Sequence, residues 1–172
     1  MPKHTALTTL LIATLAACGT PPGDAPPAAE YRPLANVQQM MGWILDPAAD
    51  VIWDNAGTII TADGSRELHP TTDEGWDKII HAAAIIAESG NLMMMPGRSM
   101  GDDWQEYSRG LIDTGELAIA AATAQDPDAL FDAGGRIYQV CKACHDQYWV
   151  KGREAAAGGE AAFDQYGDGA SR

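Results

Sequence analysis

Two thiols and an imidazole stand within five residues at Cys141-Lys142-Ala143-Cys144-His145. In a helix, residues three and four apart share a face, so both sulfurs and the imidazole can meet the same object. The pattern Cys-x-x-Cys-His is the attachment sequence of a c-type haem. Each thiol adds across one vinyl group of the porphyrin, and His145 becomes the proximal ligand of the iron. The expected cofactor is one haem c per chain.

Other chemistries use the same residue types. A thioredoxin-like pair follows a strand at the start of a helix, and nothing upstream has that pattern. A zinc site needs four ligands, and only His4, His69, His81 and Cys18 remain to complete one. Of these, His4 and Cys18 belong to an N-terminal leader. A disulfide between Cys141 and Cys144 would close a small, strained ring, and free thiols alone leave His145 without a purpose.

The leader carries Lys3 and His4, then an apolar stretch from Ala6 to Ala17. About twelve apolar residues are too few to span a bilayer but suit a signal-peptide core. Leu15-Ala16-Ala17-Cys18 resembles a bacterial lipobox, which implies cleavage before Cys18 and lipid on its thiol; an ordinary secretory signal is the alternative. Gly19 in place of an aspartate points to the outer membrane. The expected organisation is a signal peptide over residues 1–17, a Pro- and Ala-rich tether over 18–30, one domain over 31–150, and a disordered Gly- and Ala-rich tail over 151–172. Cys18 takes lipid and Cys141 and Cys144 take haem, so no thiol is left over in an oxidising compartment.

Between Leu34 and Trp149 the hydrophobic period is helical. The first stripe is Leu34, Val37, Met41 and Leu45, with Met40 and Ile44 beside it. Asp46-Pro47 then either kinks this helix or starts a second. Thr58-Ile59-Ile60-Thr61 before Asp63-Gly64 reads as a small hairpin. A second helix opens on a capping box of Thr71 and Glu74, follows Trp76, Ile79, Ile80, Ala83, Ile86 and Ala87, and stops at Gly90. A third is capped near Asp102-Asp103 and follows Trp104, Tyr107, Leu111, Ala118, Ile119 and Ala122. The fourth, capped by Asp126 with Pro127 first, runs through Leu130, Phe131, Gly134, Ile137, Cys141, His145 and Tyr148, roughly 33 Å at 1.5 Å per residue. Gly134 and Gly135 each cost roughly 1 kcal/mol there relative to alanine. Close approach by another helix or the porphyrin would explain them, and a break into two short helices is the alternative. The cysteines and histidine lie on the apolar stripe, so the cofactor is expected to face the core.

Four amphipathic helices with Cys-x-x-Cys-His near the end of the last resemble the class II cytochromes c, the cytochrome c′ family. The run Val140-Cys-Lys-Ala-Cys-His-Asp-Gln-Tyr148 is very similar to that family's attachment segment. The resemblance covers most of residues 31–149 and implies an all-α fold, a four-helix up-down-up-down bundle with covalently bound haem c. It implies too that the first helix faces the distal side of the iron. There a methionine makes the iron six-coordinate, and an apolar residue leaves it five-coordinate. Met41 is the expected sixth ligand, with Met40 and the loop residues Met93, Met94 and Met95 as alternatives. All of them also suit gap-filling in a core. Arg32, interrupted by Pro33, is the family-like partner for a haem propionate. Arg98 and Arg136 are alternatives that read more simply as solvent-exposed. Trp43, Trp53, Trp76, Trp104 and Trp149 are expected to pack the bundle and shield the macrocycle, and His69 and His81 read as ordinary histidines.

The chain has 11 basic and 24 acidic residues, a net charge of −13, and loss of Lys3 with the leader makes it one unit more negative. Such a charge repels nucleic acid and steers towards basic partners. Nothing supplies a catalytic acid, base or second cofactor, so the expectation is a non-enzymatic periplasmic electron carrier anchored through Cys18, with redox proteins of basic docking surface as partners. The family resemblance adds homodimerisation through first helices. A five-coordinate haem binding nitric oxide or carbon monoxide is the alternative. A tethered accessory lipoprotein without haem is a third reading.

Overall fold

The structure, a computed structural model, describes residues 31–150. The signal peptide, the tether with Cys18, and the tail over 151–172 lie outside these residues. Contacts divide the chain after Arg32, and the account below concerns the unit that follows. It is mostly helical, with four long helical runs and a two-stranded hairpin among the described residues. No helix of the described residues is long and apolar enough to cross a membrane.

The first run comprises α1 (Val37–Met40), a π turn (Met41–Leu45) and α2 (Asp46–Trp53) without a break. Asn36 starts it with a reciprocal capping box: its side chain accepts from Gln39 N at 2.8 Å, and its own N–H donates to Gln39 Oε1 at 3.0 Å. Leu34 therefore precedes the helix and is 89% exposed, outside the stripe expected for it. Pro47 has no N–H and its ring crowds the carbonyl four residues back. The widened turn absorbs this, with Asp46 N–H bonding to Met41 O. Asp46-Pro47 thus perturbs one run and does not begin a separate helix.

Strands β1 (Thr58–Thr61) and β2 (Gly64–Glu67) pair antiparallel with Thr61 opposite Gly64. The two-residue turn is Ala62-Asp63, one position before the Asp63-Gly64 expected, and Gly64 enters β2 at φ +136°. Helix α3 spans Asp73–Met93. Its cap is Thr72, whose hydroxyl accepts from Gly75 N–H at 3.1 Å. Thr71 is one residue too early because only the extended residue directly before the first helical turn can reach that amide. Gly90 does not stop α3. It lies where α3 meets α4 (Asp102–Thr123), against the Ser108 backbone and Ile112. The expected Met-rich loop is correspondingly shorter, since Leu92 and Met93 are helical.

Gly101, at φ +110°, is the residue that caps α4. Asp102 and Asp103 stand inside its first turn, where their charge suits the helix dipole. Helix α5 (Pro127–His145) begins as expected, with Asp126 Oδ1 accepting from the N–H groups of Asp128 and Ala129 at 3.1 and 3.0 Å. It continues through Gly134 and Gly135 and ends in a second π turn (Asp146–Val150). Gly134 packs on Ile52 and Trp53, and Trp53 Nε1 donates to its carbonyl at 3.1 Å. Contacts run from α2 to α3, α3 to α4, α4 to α5, and α5 back to α2. The main core lies among them, built on Ile52, Ile79, Ile86, Leu111, Leu130 and Ile137. A second cluster of Ala35, Met40, Met93 and Trp104 closes the end nearest Cys144.

Candidate functional site

The last turns of α5 place Cys141, Cys144 and His145 on one wall of a cavity of about 330 Å³. All three are half-buried. Cys141 packs on the main core and Cys144 on the second cluster. The first run contributes Met41, Leu45, Asp46 and Ala49. Ile86 and Met93 come from α3, and Trp104, Tyr107, Ser108 and Leu111 from α4. Exposed Tyr138 and Trp149 also line it. The wall is thus apolar and aromatic, and the side towards those two rings reaches solvent.

Both cysteines carry free thiols. Burial pushes the Cys141 thiol up, and the nearby Asp46 charge adds to this. The Cys144 thiol is pushed up to about 11 by burial first and Cys141 second. Redox pairs of the Cys-x-x-Cys kind depend on a lowered thiol pKa, the opposite of what this wall imposes. No group of three or more His, Cys, Asp or Glu among the described residues could hold a metal ion.

The wall behind Cys144 is tied to α4. Tyr107 donates to Gln147 Oε1 at 2.9 Å, and Gln147 Nε2 donates to Asp103 Oδ2 at 2.6 Å. The Tyr148 ring stands edge-on to Trp104 at 5.0 Å and to Tyr107 at 6.2 Å. Trp104 is fixed in turn by Nε1 donating to Met93 O at 2.8 Å. On the rim, Lys142 pairs with Asp146. The His145 ring meets Trp149 at 5.3 Å between centroids and 74° between planes.

Of the methionines, Met41 and Met93 reach the cavity. Met40, which the stripe placed to one side, is fully buried in the second cluster. The Met95 sulfur accepts from Arg98 Nη1. Arg98 is not solvent-exposed, as the sequence reading had it. It is 6% exposed, with Nε and Nη2 donating to Ala35 O at 3.3 and 2.9 Å and Nη1 to Leu92 O at 3.1 Å. Its donors are committed to main-chain carbonyls, away from the cavity. Arg136 is exposed and lines a separate recess between α4 and α5, and Arg32 falls in the preceding unit. Neither Arg98 nor Arg136 lines the cavity.

Trp53, Trp104 and Trp149 line the cavity and Trp76 is in the core, whereas Trp43 is 63% exposed and packs nothing central. His69 stacks on Trp76 at 6.5 Å, and His81 faces solvent. Sequence reasoning missed Asp46, read only with Pro47 as a kink or helix start, and the Gln147 tie, whose partners lie 40 or more residues away. Tyr107 was legible as a position on the helix stripe, though not as a wall of the site. No protein-family model matches the chain, and no curated protein and no solved structure matches it.

Proposed function

We propose that this chain is a haem c protein that carries single electrons, built like a class II cytochrome c. The observation that carries the reading is that Cys141, Cys144 and His145 line one cavity together with Met41. The residues fit the group. A volume of about 330 Å³ lies in the range of cofactor sites, roughly 300–1,000 Å³, and an apolar lining open on one side suits a flat macrocycle with a solvated edge. Bound haem supplies one-electron chemistry at iron. The closed order of helix contacts supports the up-down-up-down bundle as part of this proposal.

Each residue then has a role. The two thiols would hold the group as thioethers, each S–H adding across a vinyl so that no oxidant is needed. His145 would supply a nitrogen ligand to the iron and Met41 a thioether, a ligand that favours electron transfer and raises the potential. The aromatic walls exclude water from the buried side. Lys3, the apolar stretch and Cys18 support export and lipid anchoring in the periplasm, and the acidic charge supports redox partners with basic surfaces.

A second reading, a five-coordinate gas-binding haem, draws on the other residues of the distal wall: Leu45, Ala49 and Ile86 leave a small diatomic molecule an apolar berth. Absorption spectra of the oxidised and reduced protein, with and without carbon monoxide, separate the two. Low-spin spectra with slow carbon monoxide binding support Met41 ligation. High-spin spectra with rapid binding support the gas-binding reading. Haem that leaves the denatured chain on acid-acetone extraction would refute covalent attachment and both readings.

A further inference from the structure

We propose that the π turn Asp146–Val150 is the device that orients His145, with Gln147 as its latch to α4 and Trp149 as its contact on the imidazole. This role rests on the haem reading above and goes beyond it by naming what holds the proximal ligand. A metal-binding histidine is ordinarily oriented by a carboxylate, carbonyl or water on its second nitrogen. Here an aromatic face-to-edge contact, His145 to Trp149 at 5.3 Å and 74°, is the contact the fold builds onto the ring.

The ties of the turn to α4 hold that contact in place. Gln147 and Tyr148 both engage α4: Gln147 through Tyr107 and Asp103, Tyr148 through the edges of Trp104 and Tyr107. Consecutive residues of a regular α-helix point in different directions and do not share a face. Holding both against one neighbour requires a wider turn, and the chain takes π geometry at this place. Such turns are rare and concentrate at functional sites. The latch is also orientation-specific. The Gln147 oxygen faces a hydroxyl donor and its nitrogen faces a carboxylate, so the reversed amide would lose the Asp103 bond. Residue 149, four positions after His145, lies on the same side of the helix, and the fixing of 147 and 148 holds it there. The Trp149 ring, half in solvent, covers one side of the imidazole and lines the cavity.

The test uses the full chain in two forms. In the holoprotein, ferric electron paramagnetic resonance reports how uniformly the axial imidazole is set. Trp149→Ala and Gln147→Leu are expected to split the single wild-type signal into several species and to shift the midpoint potential. Trp149→Phe keeps an aromatic edge and is expected to restore the single signal. Asp126→Ala, which weakens α5 at its far end, is expected to lower stability and leave the signal alone. An unchanged signal in both Trp149→Ala and Gln147→Leu would overturn the proposal.

In haem-free chain, proton NMR should show a cross-relaxation contact between the Trp149 and His145 rings that weakens in Gln147→Leu. Absence of that contact in the wild type would also overturn it. Wild-type protein that carries no thioether-bound haem defeats the function reading, and this role with it, before any variant is made.

Discussion

The junction of α3 with α4 makes a prediction whose sign depends on what faces each glycine. Replacing a glycine inside a helix by alanine ordinarily stabilises by about 1 kcal/mol. Gly135 is such a position: a methyl group there meets nothing within 4 Å. Gly90 is the opposite. A methyl group would collide with the Ser108 carbonyl oxygen and stand 2.7 Å from Ile112 Cγ1. At Gly115 it would stand 2.8 Å from both Cβ and N of Ala87, and 2.9 Å from Ala83 O. Most of these atoms are backbone, so relief requires one helix to move off the other. Overpacking of this kind costs about 1–3 kcal/mol, and a backbone obstacle belongs at the upper end. Subtracting the propensity gain leaves Gly90→Ala and Gly115→Ala each destabilised by about 2 kcal/mol, and Gly135→Ala stabilised by about 1 kcal/mol. Urea unfolding with a constant m-value measures the separation of about 3 kcal/mol between the two classes. Thermal midpoints should rise by about 4 °C for Gly135→Ala and fall by about 8 °C for the other two. The consequence reaches the site, because Ser108 and Ile86 line the cavity from these same helices. Gly90→Ala as stable as Gly135→Ala would refute the close approach of α3 and α4.

Three further outcomes follow from the site. Met41→Leu should convert low-spin spectra to high-spin and speed carbon monoxide binding, whereas Met40→Leu, a volume-conserving change in the second cluster, should leave the spectra alone and cost under about 1.5 kcal/mol by denaturation. Cys141→Ser or Cys144→Ser should each leave haem on a single thioether, and only the double variant should release all of it to acid-acetone, as read by the mass of the denatured chain. Arg98→Met should cost about 2 kcal/mol in urea unfolding, since the Ala35 and Leu92 carbonyls lose a charged donor, and Arg98→Lys, with one point of charge for a planar fork, should restore little of it.

What could be read along the chain was local. Asp126 and Pro127 fix the start of α5 through an oxygen two and three residues from the amides it accepts, and an imino nitrogen that has no bond to lose. The stripe Trp76, Ile79, Ala83, Ile86 fixed the buried face of α3 because a 3.6-residue period needs no knowledge of what lies opposite. Gly90 defeated the same reasoning: a glycine that ends a helix and one that admits a neighbouring backbone are identical in sequence, and only Ser108 distinguishes them. Arg98 failed in the same way. An arginine in a loop reads as a surface charge, yet here it is buried with three hydrogen bonds to main-chain oxygens, from partners up to 63 residues away. Within the site, Cys141, Cys144 and His145 were legible as a spacing, and Met41 as a position on a stripe. Their meeting at one cavity was expected only through the family resemblance, because it depends on the packing of the first run against α5.

The two π turns sharpen this division between local and distant causes. Each adjoins a proposed ligand: Met41 opens the first, and the second follows directly on His145. The first has its cause in the sequence beside it, since Pro47 cannot donate and crowds the preceding turn. The second contains no proline or glycine, and residues 146–150 taken alone would continue an ordinary helix. Its widening follows from Asp103, Trp104 and Tyr107, which belong to another helix. Met41 is thus set by a defect that the chain carries within itself, and His145 by a tie to α4. A change on α4 far in sequence from the Cys-x-x-Cys-His run therefore has a direct mechanical route to the imidazole, while the Met41 side answers to Pro47.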